Sequence, residues 1–228
     1  MNHKKLLSAI ATTFVFLGSA GQANASLLTL QNPSSMTYQQ TLNSPCVIGD
    51  PSCNNPAGFG STTIDANTSS YDLFSPVYTV SQIRTLLGGL DTFFVGIDVN
   101  TTTSPLATER LNFFRLLVDN TVQFQYETSF GANNPNGGTQ LVNANNGNGR
   151  SDELLTGFDL SSFAAGSLVR FEVGISNATD GREEFFLIGT NATPVPPGSI
   201  PEPGTTAILG LGLLGMGFVS LRNRKKQS

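Results

Sequence analysis

No charged residue separates Glu202 from Arg222, and the stretch from Thr205 to Leu221 is dominated by apolar side chains. A run of this length sits at the lower edge of the roughly 17–25 residues that span a bilayer as a helix. A helix satisfies its own backbone hydrogen bonds, which lipid cannot do, so a transmembrane helix is predicted over 205–221. Arg222, Arg224, Lys225 and Lys226 follow directly. They mark 222–228 as a basic cytoplasmic tail and membrane stop by the positive-inside rule. The rest of the chain is therefore expected outside the cytoplasmic membrane. Gly210, Gly212, Gly215 and Gly217 weaken the helix by about 1 kcal/mol each relative to alanine, which favours a temporary anchor.

The other end has the layout of a secretory signal peptide over residues 1–25. Lys4 and Lys5 give a positive start, Leu6 to Leu17 an apolar core, and Ala23-Asn24-Ala25 a small-residue cleavage site. Signal peptidase would cut after Ala25 and leave Ser26 as the first mature residue. The one histidine, His3, would be removed with this segment.

Ile200-Pro201-Glu202-Pro203-Gly204 stands just before the apolar run and its basic stop. This three-part order resembles the PEP-CTERM sorting domain of bacterial surface proteins over about residues 199–228, with Ile200 where the family often has valine. The resemblance implies that Pro201, Glu202 and Pro203 are the sorting motif. It also implies that an exosortase, a membrane-embedded cysteine transpeptidase, cuts near Pro201–Gly204. The membrane-anchored precursor would then be released or transferred to the cell surface or extracellular matrix. Family members are typical of Gram-negative bacteria and cyanobacteria that make exopolysaccharide, so a biofilm setting is implied, with exopolysaccharide as a candidate partner. An ordinary permanent anchor is the alternative reading of the tail.

Between the two ends lies a body long enough for one domain with a real core. It carries six arginines, no lysine and all sixteen acidic residues, a net charge of −10, against −4 for the whole chain. Such a body repels phosphate backbones, which excludes nucleic acid as a partner. Cys46 and Cys53 are the only cysteines and flank a short turn-rich loop. In an oxidising compartment they are expected to form a local disulfide. Two cysteines without a mature histidine are too few ligands for a zinc site.

The body reads as strand after strand. Ser70 to Val80, Thr92 to Asn100, Leu111 to Val118, Thr121 to Glu127, Glu153 to Leu160, Leu168 to Ile175 and Glu184 to Ile188 are rich in β-branched and aromatic residues, with a brief strand at Thr139 to Val142. In Thr92 to Asn100, one set of alternate residues is Phe93, Val95, Ile97 and Val99, the period of a half-buried strand. Asp119-Asn120 tolerates positive φ and predicts a tight hairpin. Asn177 to Gly181 predicts a hairpin turn leading into a buried edge or central strand, and Ser81 to Leu87 a short helical segment closed by Gly88-Gly89. The fold class expected is all-β, a single β-sandwich or jelly-roll-like domain over 26–192. Residues 193–204 would be a Pro-rich spacer carrying the sorting motif.

Catalytic inventory is thin. The mature body lacks histidine and lysine, shows no Gly-x-Ser-x-Gly elbow, and has no phosphate or dinucleotide loop. Carboxylate-pair glycoside hydrolysis stays open through Glu127, Glu172, Glu183 and Glu184, since it needs two acids at a set separation. Most of these are expected to be solvated charges at strand edges. No cofactor is expected. Calcium, which needs only oxygen ligands, is the ion the composition allows. Its candidate ligands are Asp98 and Asn100 on one strand face, Asp180 and Glu183 near a turn with Asn177, and a group of Asn146, Asn148, Asp152 and Glu153. Each group is equally what ordinary turns require. Tyr71, Tyr78 and Tyr126 offer either sugar stacking or core packing. The reading is a non-enzymatic structural or adhesive surface protein. The alternatives are a calcium-dependent carbohydrate-binding module and a carboxylate glycosidase.

Overall fold

The computed structural model describes residues 25–31, 37–65, 70–100, 109–127, 137–142, 149–178 and 182–194. Ala23, Asn146, Asn148, Asp180, the sorting motif, the apolar run and the basic tail lie outside the described residues, as does all of the signal-peptide reading except Ala25 and Ser26. Among the described residues no helix is long and apolar enough to cross a membrane.

Among the described residues the fold is all-β with one short helix. Its elements are β1 (Ser26–Leu27), β2 (Thr29–Gln31), β3 (Cys46–Gly49), β4 (Thr62–Thr63), β5 (Ser70–Phe74), β6 (Tyr78–Thr79), α1 (Val80–Leu86), β7 (Thr92–Asp98), β8 (Arg110–Val118), β9 (Thr121–Glu127), β10 (Thr139–Gln140), β11 (Glu153–Asp159), β12 (Leu168–Ser176) and β13 (Glu184–Gly189). One sheet runs β1-β9-β8-β12-β5, with β10 on β8 and β6 on β12; the other runs β2-β11-β7-β13-β3-β4. β1 lies in the first sheet and β2 in the second, with Leu28 buried between them.

The two sheets share one core, filled by alternate residues of facing strands. Val95, Ile97 and Val99 come from β7 and its end, Phe185 and Leu187 from β13, Phe114, Leu116 and Val118 from β8, and Val169, Phe171, Val173 and Ile175 from β12. Phe93 stacks on Phe158 at 4.8 Å between centroids, and Phe114 meets Phe158, Phe171 and Phe185 at 5.7–6.0 Å. Such pairs add about 0.5–1.5 kcal/mol each beyond area burial. β11 reaches this core through a bulge at Gly157, whose φ of +109° only glycine adopts without strain.

The Asp119-Asn120 turn forms as expected, with φ of 49° and 62°, the positive pair of a two-residue hairpin. Thr79 caps α1 as one half of a capping box: its hydroxyl accepts from the Gln82 amide at 3.1 Å, and the Gln82 side chain accepts from the Thr79 amide at 2.7 Å. Positive φ at Gly88 and Gly89 ends the segment.

Four expectations are corrected. Ser70 to Val80 is not one strand: β5 stops at Phe74, Pro76 has no amide to donate, and Val80 already begins α1. Cys46 to Gly49 is not loop but the buried strand β3, with Val47 and Ile48 fully covered. The turn after Ser176 is not a hairpin, because β12 and β13 belong to different sheets; β13 is, as expected, a buried strand, and it is central. β7 is buried on both faces toward its end, not on one. Its outer face is covered by a second cluster, Tyr38, Cys46, Leu154, Phe186 and Ile188, with Cys53, Phe94 and Ala192 packed against it.

Candidate functional site

Charge in this domain is concentrated at one end of the sandwich, where β7 and β12 end and β8, β11 and β13 begin. Asp98, Glu109, Asp152, Glu153, Glu183 and Glu184 are all buried there, none more than 5% exposed. Glu183 and Glu184 were expected as solvated strand-edge charges; they are instead inside. Asp98, Glu153 and Glu184 are end residues of β7, β11 and β13, and Glu109, Asp152 and Glu183 directly precede β8, β11 and β13.

Strand alternation divides the set between two faces. Glu183 and Glu153 reach the core side. Tyr71 on β5 donates its hydroxyl to Glu183 Oε2 across the gap between sheets, while Glu183 Oε1 has no hydrogen-bond partner. Burial and the Glu183 charge push the Tyr71 phenol well above its usual range. Glu153 Oε1 accepts from the Val142 amide at 2.9 Å, beyond the end of β10. Burial, with the nearby Asp152 charge, pushes its carboxyl up to about 7 against the opposing Val142 hydrogen bond.

Asp98 and Glu184 occupy the outer face as direct cross-strand partners of β7 and β13. Opposed residues of adjacent strands carry Cβ atoms about 4.5–5.5 Å apart, and like charges there repel. Asp98 is 1% exposed and neither of its oxygens completes a hydrogen bond. Burial first, then the Asp152 and Glu184 charges, push its carboxyl up to about 8; the nearby Gly149 and Arg150 amides oppose this. Glu184 rises to about 7 through burial and the Asp50 charge. Asp152 Oδ2 accepts from the Val99 amide at 2.8 Å, which fixes that carboxylate beside Asp98. Arg182 is directed elsewhere, to Asp50 at 2.9 Å.

The segment roofing this face is held in two places. Gln39 and Gln40 both bond the Gly149 carbonyl, at 2.9 and 2.6 Å, and Tyr38 exchanges bonds with Ser151. The expected disulfide, Cys46–Cys53, closes the other side. Among the described residues, one group of three potential metal-ligand side chains has its donor atoms within 4.8 Å of one another: Cys46, Cys53 and Glu184. Both sulfurs there belong to the disulfide, so this is no thiolate site.

The sequence candidates separate accordingly. Asp98 is in the outer acidic pair, but Asn100 turns to bond the Arg182 carbonyl at 2.8 Å, and Glu183 faces Tyr71. Asp98, Asn100 and Glu183 thus form no single ligand set. Asn177 is a turn residue with φ of 59°. Glu127 and Glu172 both bind Arg115, at 2.6 and 3.2 Å, on the other sheet. Tyr78 is core, stacked on Phe59 at 4.5 Å with its hydroxyl on the Gly60 carbonyl, and Tyr126 is tied to Thr139. Sequence reasoning missed Glu184 as the partner of Asp98. A signal was present: both acids sit inside runs of large apolar residues, Phe93 to Val99 and Glu184 to Ile188.

A groove of about 580 Å³ lies beside the C-terminal end of α1, lined by Tyr38, Gln39, Thr41, Asn43, Ser44, Asn191 and the 85–88 backbone. No lining residue carries a charge.

Residues 199–225 match the family model of the PEP-CTERM protein-sorting motif. This chain carries a PEP-CTERM sorting motif. The motif makes it an exported protein, anchored at the membrane before an exosortase processes it. No curated protein and no solved structure matches the chain.

Proposed function

We propose that this is an exosortase-sorted surface or matrix protein whose β domain is structural or adhesive and not an enzyme. The observation that carries the reading is the sorting motif at 199–225. The signal peptide at 1–25, the helix over 205–221 and a Gram-negative or cyanobacterial exopolysaccharide setting belong to the same proposal. The non-enzymatic part is supported by the chemistry of the candidate acids: Glu127 and Glu172 share the Arg115 guanidinium, and Glu183 and Glu184 are buried. Replacing Glu202 by Ala in cells tests the sorting. Accumulation of uncut, membrane-bound protein is expected; normal processing of that variant would count against the motif being read. Sugar release from isolated polysaccharide, lost in Glu184→Gln, would overturn the non-enzymatic part.

The uncharged groove favours a second reading, a carbohydrate-binding module, because amides and hydroxyls are the groups that bond neutral sugars. Saturable heat with the host's own exopolysaccharide, lost in Asn43→Ala, would support it, and no heat would dismiss it.

A further inference from the structure

We infer that Asp98 and Glu184 form the core of a calcium site on the outer face of the second sheet, with Asp152 as its neighbouring carboxylate. The inference goes beyond the sorting reading and does not depend on it.

Three observations carry it. Asp98 and Glu184 face each other across β7 and β13 on one side of the sheet. Asp98 is 1% exposed, and both its oxygens lack a hydrogen bond. A buried carboxylate needs a hydrogen bond, a counter-charge, a metal or a proton. The third is the place of Gly149: Glu184 Oε2 lies 3.9 Å from where its Cβ would stand and its amide stands near Asp98, so both carboxylates approach the same stretch of backbone. Arg182, two residues before Glu184, is committed to Asp50.

The donor chemistry selects the ion. All side-chain donors are carboxylate oxygens, since both sulfurs are in the disulfide. That disfavours zinc, which takes nitrogen and sulfur. Magnesium demands near-ideal octahedral geometry, which two acids fixed on rigid strands do not offer. Calcium accepts irregular spheres of about 6–8 oxygens, completed by backbone carbonyls and water.

The test uses protein purified in whichever form its own cells accumulate, stripped with EDTA. Calcium chloride is titrated by calorimetry near neutral pH. Melting is followed in parallel with and without calcium. Expected are saturable binding with Kd on the order of 10⁻⁴–10⁻³ M, as in extracellular modules, and a raised Tm. Asp98→Asn should fold, since it removes a buried charge, and should lose both the heat and the Tm response. Should that variant not fold, Glu184→Gln carries the comparison and should bind at least tenfold more weakly. Absence of heat and of any Tm change in the wild type would overturn the inference. So would wild-type affinity in either folded variant, or a response that magnesium at equal concentration reproduces.

Discussion

Raising the pH from 5 to 8 should destabilise the metal-free protein, the reverse of the usual behaviour of a protein held together by ion pairs. Asp98, Glu153 and Glu184 are the cause. Each has a folded-state pKa above its ordinary value, about 8, 7 and 7 against 3.8, 4.5 and 4.5. The folded chain therefore holds protons that the unfolded chain has released, and stability falls as pH climbs through that window. One proton of difference is worth about 1.4 kcal/mol per pH unit. Asp98 alone then contributes on the order of 3 kcal/mol between pH 5 and 8. Glu153 and Glu184 act in the same direction, but the charges of this end raise one another, so their shares do not simply add. Asp50 and Asp159 are held below the ordinary range and act oppositely, yet only as pH falls below about 4, outside this window. For a domain of this size 3 kcal/mol corresponds to a Tm drop of about 6–12 °C. Differential scanning calorimetry in EDTA across the range measures it. Asp98→Asn should flatten the profile and melt above the wild type at pH 8, because the amide does not ionise in this buried site. A wild-type Tm that is flat or rises from pH 5 to 8, or a variant with an unchanged slope, would refute the reasoning.

Two further perturbations test the covering of β7. Replacing Cys46 and Cys53 together by Ala should cost about 2–3 kcal/mol, the closure entropy of so short a loop, read as a lower midpoint in urea. An unchanged midpoint would mean that the covering segment is held by its Gly149 and Ser151 bonds alone. Gly96→Ala places a Cβ 2.7 Å from Phe186 Cζ and 2.9 Å from Ile188 Cδ1, so overpacking should cost about 1–3 kcal/mol by the same measurement. A neutral result would mean that the Phe186 ring can move aside.

Local patterns in the sequence located most strands but not their partners. The β8–β9 hairpin was legible because Asp119-Asn120 supplies positive φ and its flanks are strand-like. The capping box of α1 was equally available, since Thr79 and Gln82 stand at the required spacing. β3 was hidden because Val47 and Ile48 sit between a cysteine and a Gly-Asp-Pro turn, and four residues give no readable period. The passage from β12 to β13 was misread for a physical reason: a turn sequence records that the chain reverses, not whether it stays in its sheet.

The acidic end shows the same limit. Alternation placed Asp98 opposite Val99 and Ile97, which predicts solvent on its side of an ordinary half-buried strand. It is buried because the segment just before β3, far away in sequence, is tied across that face by the bonds of Tyr38, Gln39 and Gln40 to Gly149 and Ser151. Glu184 becomes its neighbour through β13 pairing with β7, a contact between segments more than eighty residues apart. The sorting motif, by contrast, is a linear signal and was legible in full, because a processing enzyme reads it along the chain and no tertiary contact is needed to form it.

Intact mass of the protein from cells with and without their exosortase tests the central claim most directly. With the enzyme, the accumulated protein should lack the residues beyond Pro201–Gly204; without it, the apolar run and its basic tail should remain attached. The same full-length mass in both strains would contradict the account.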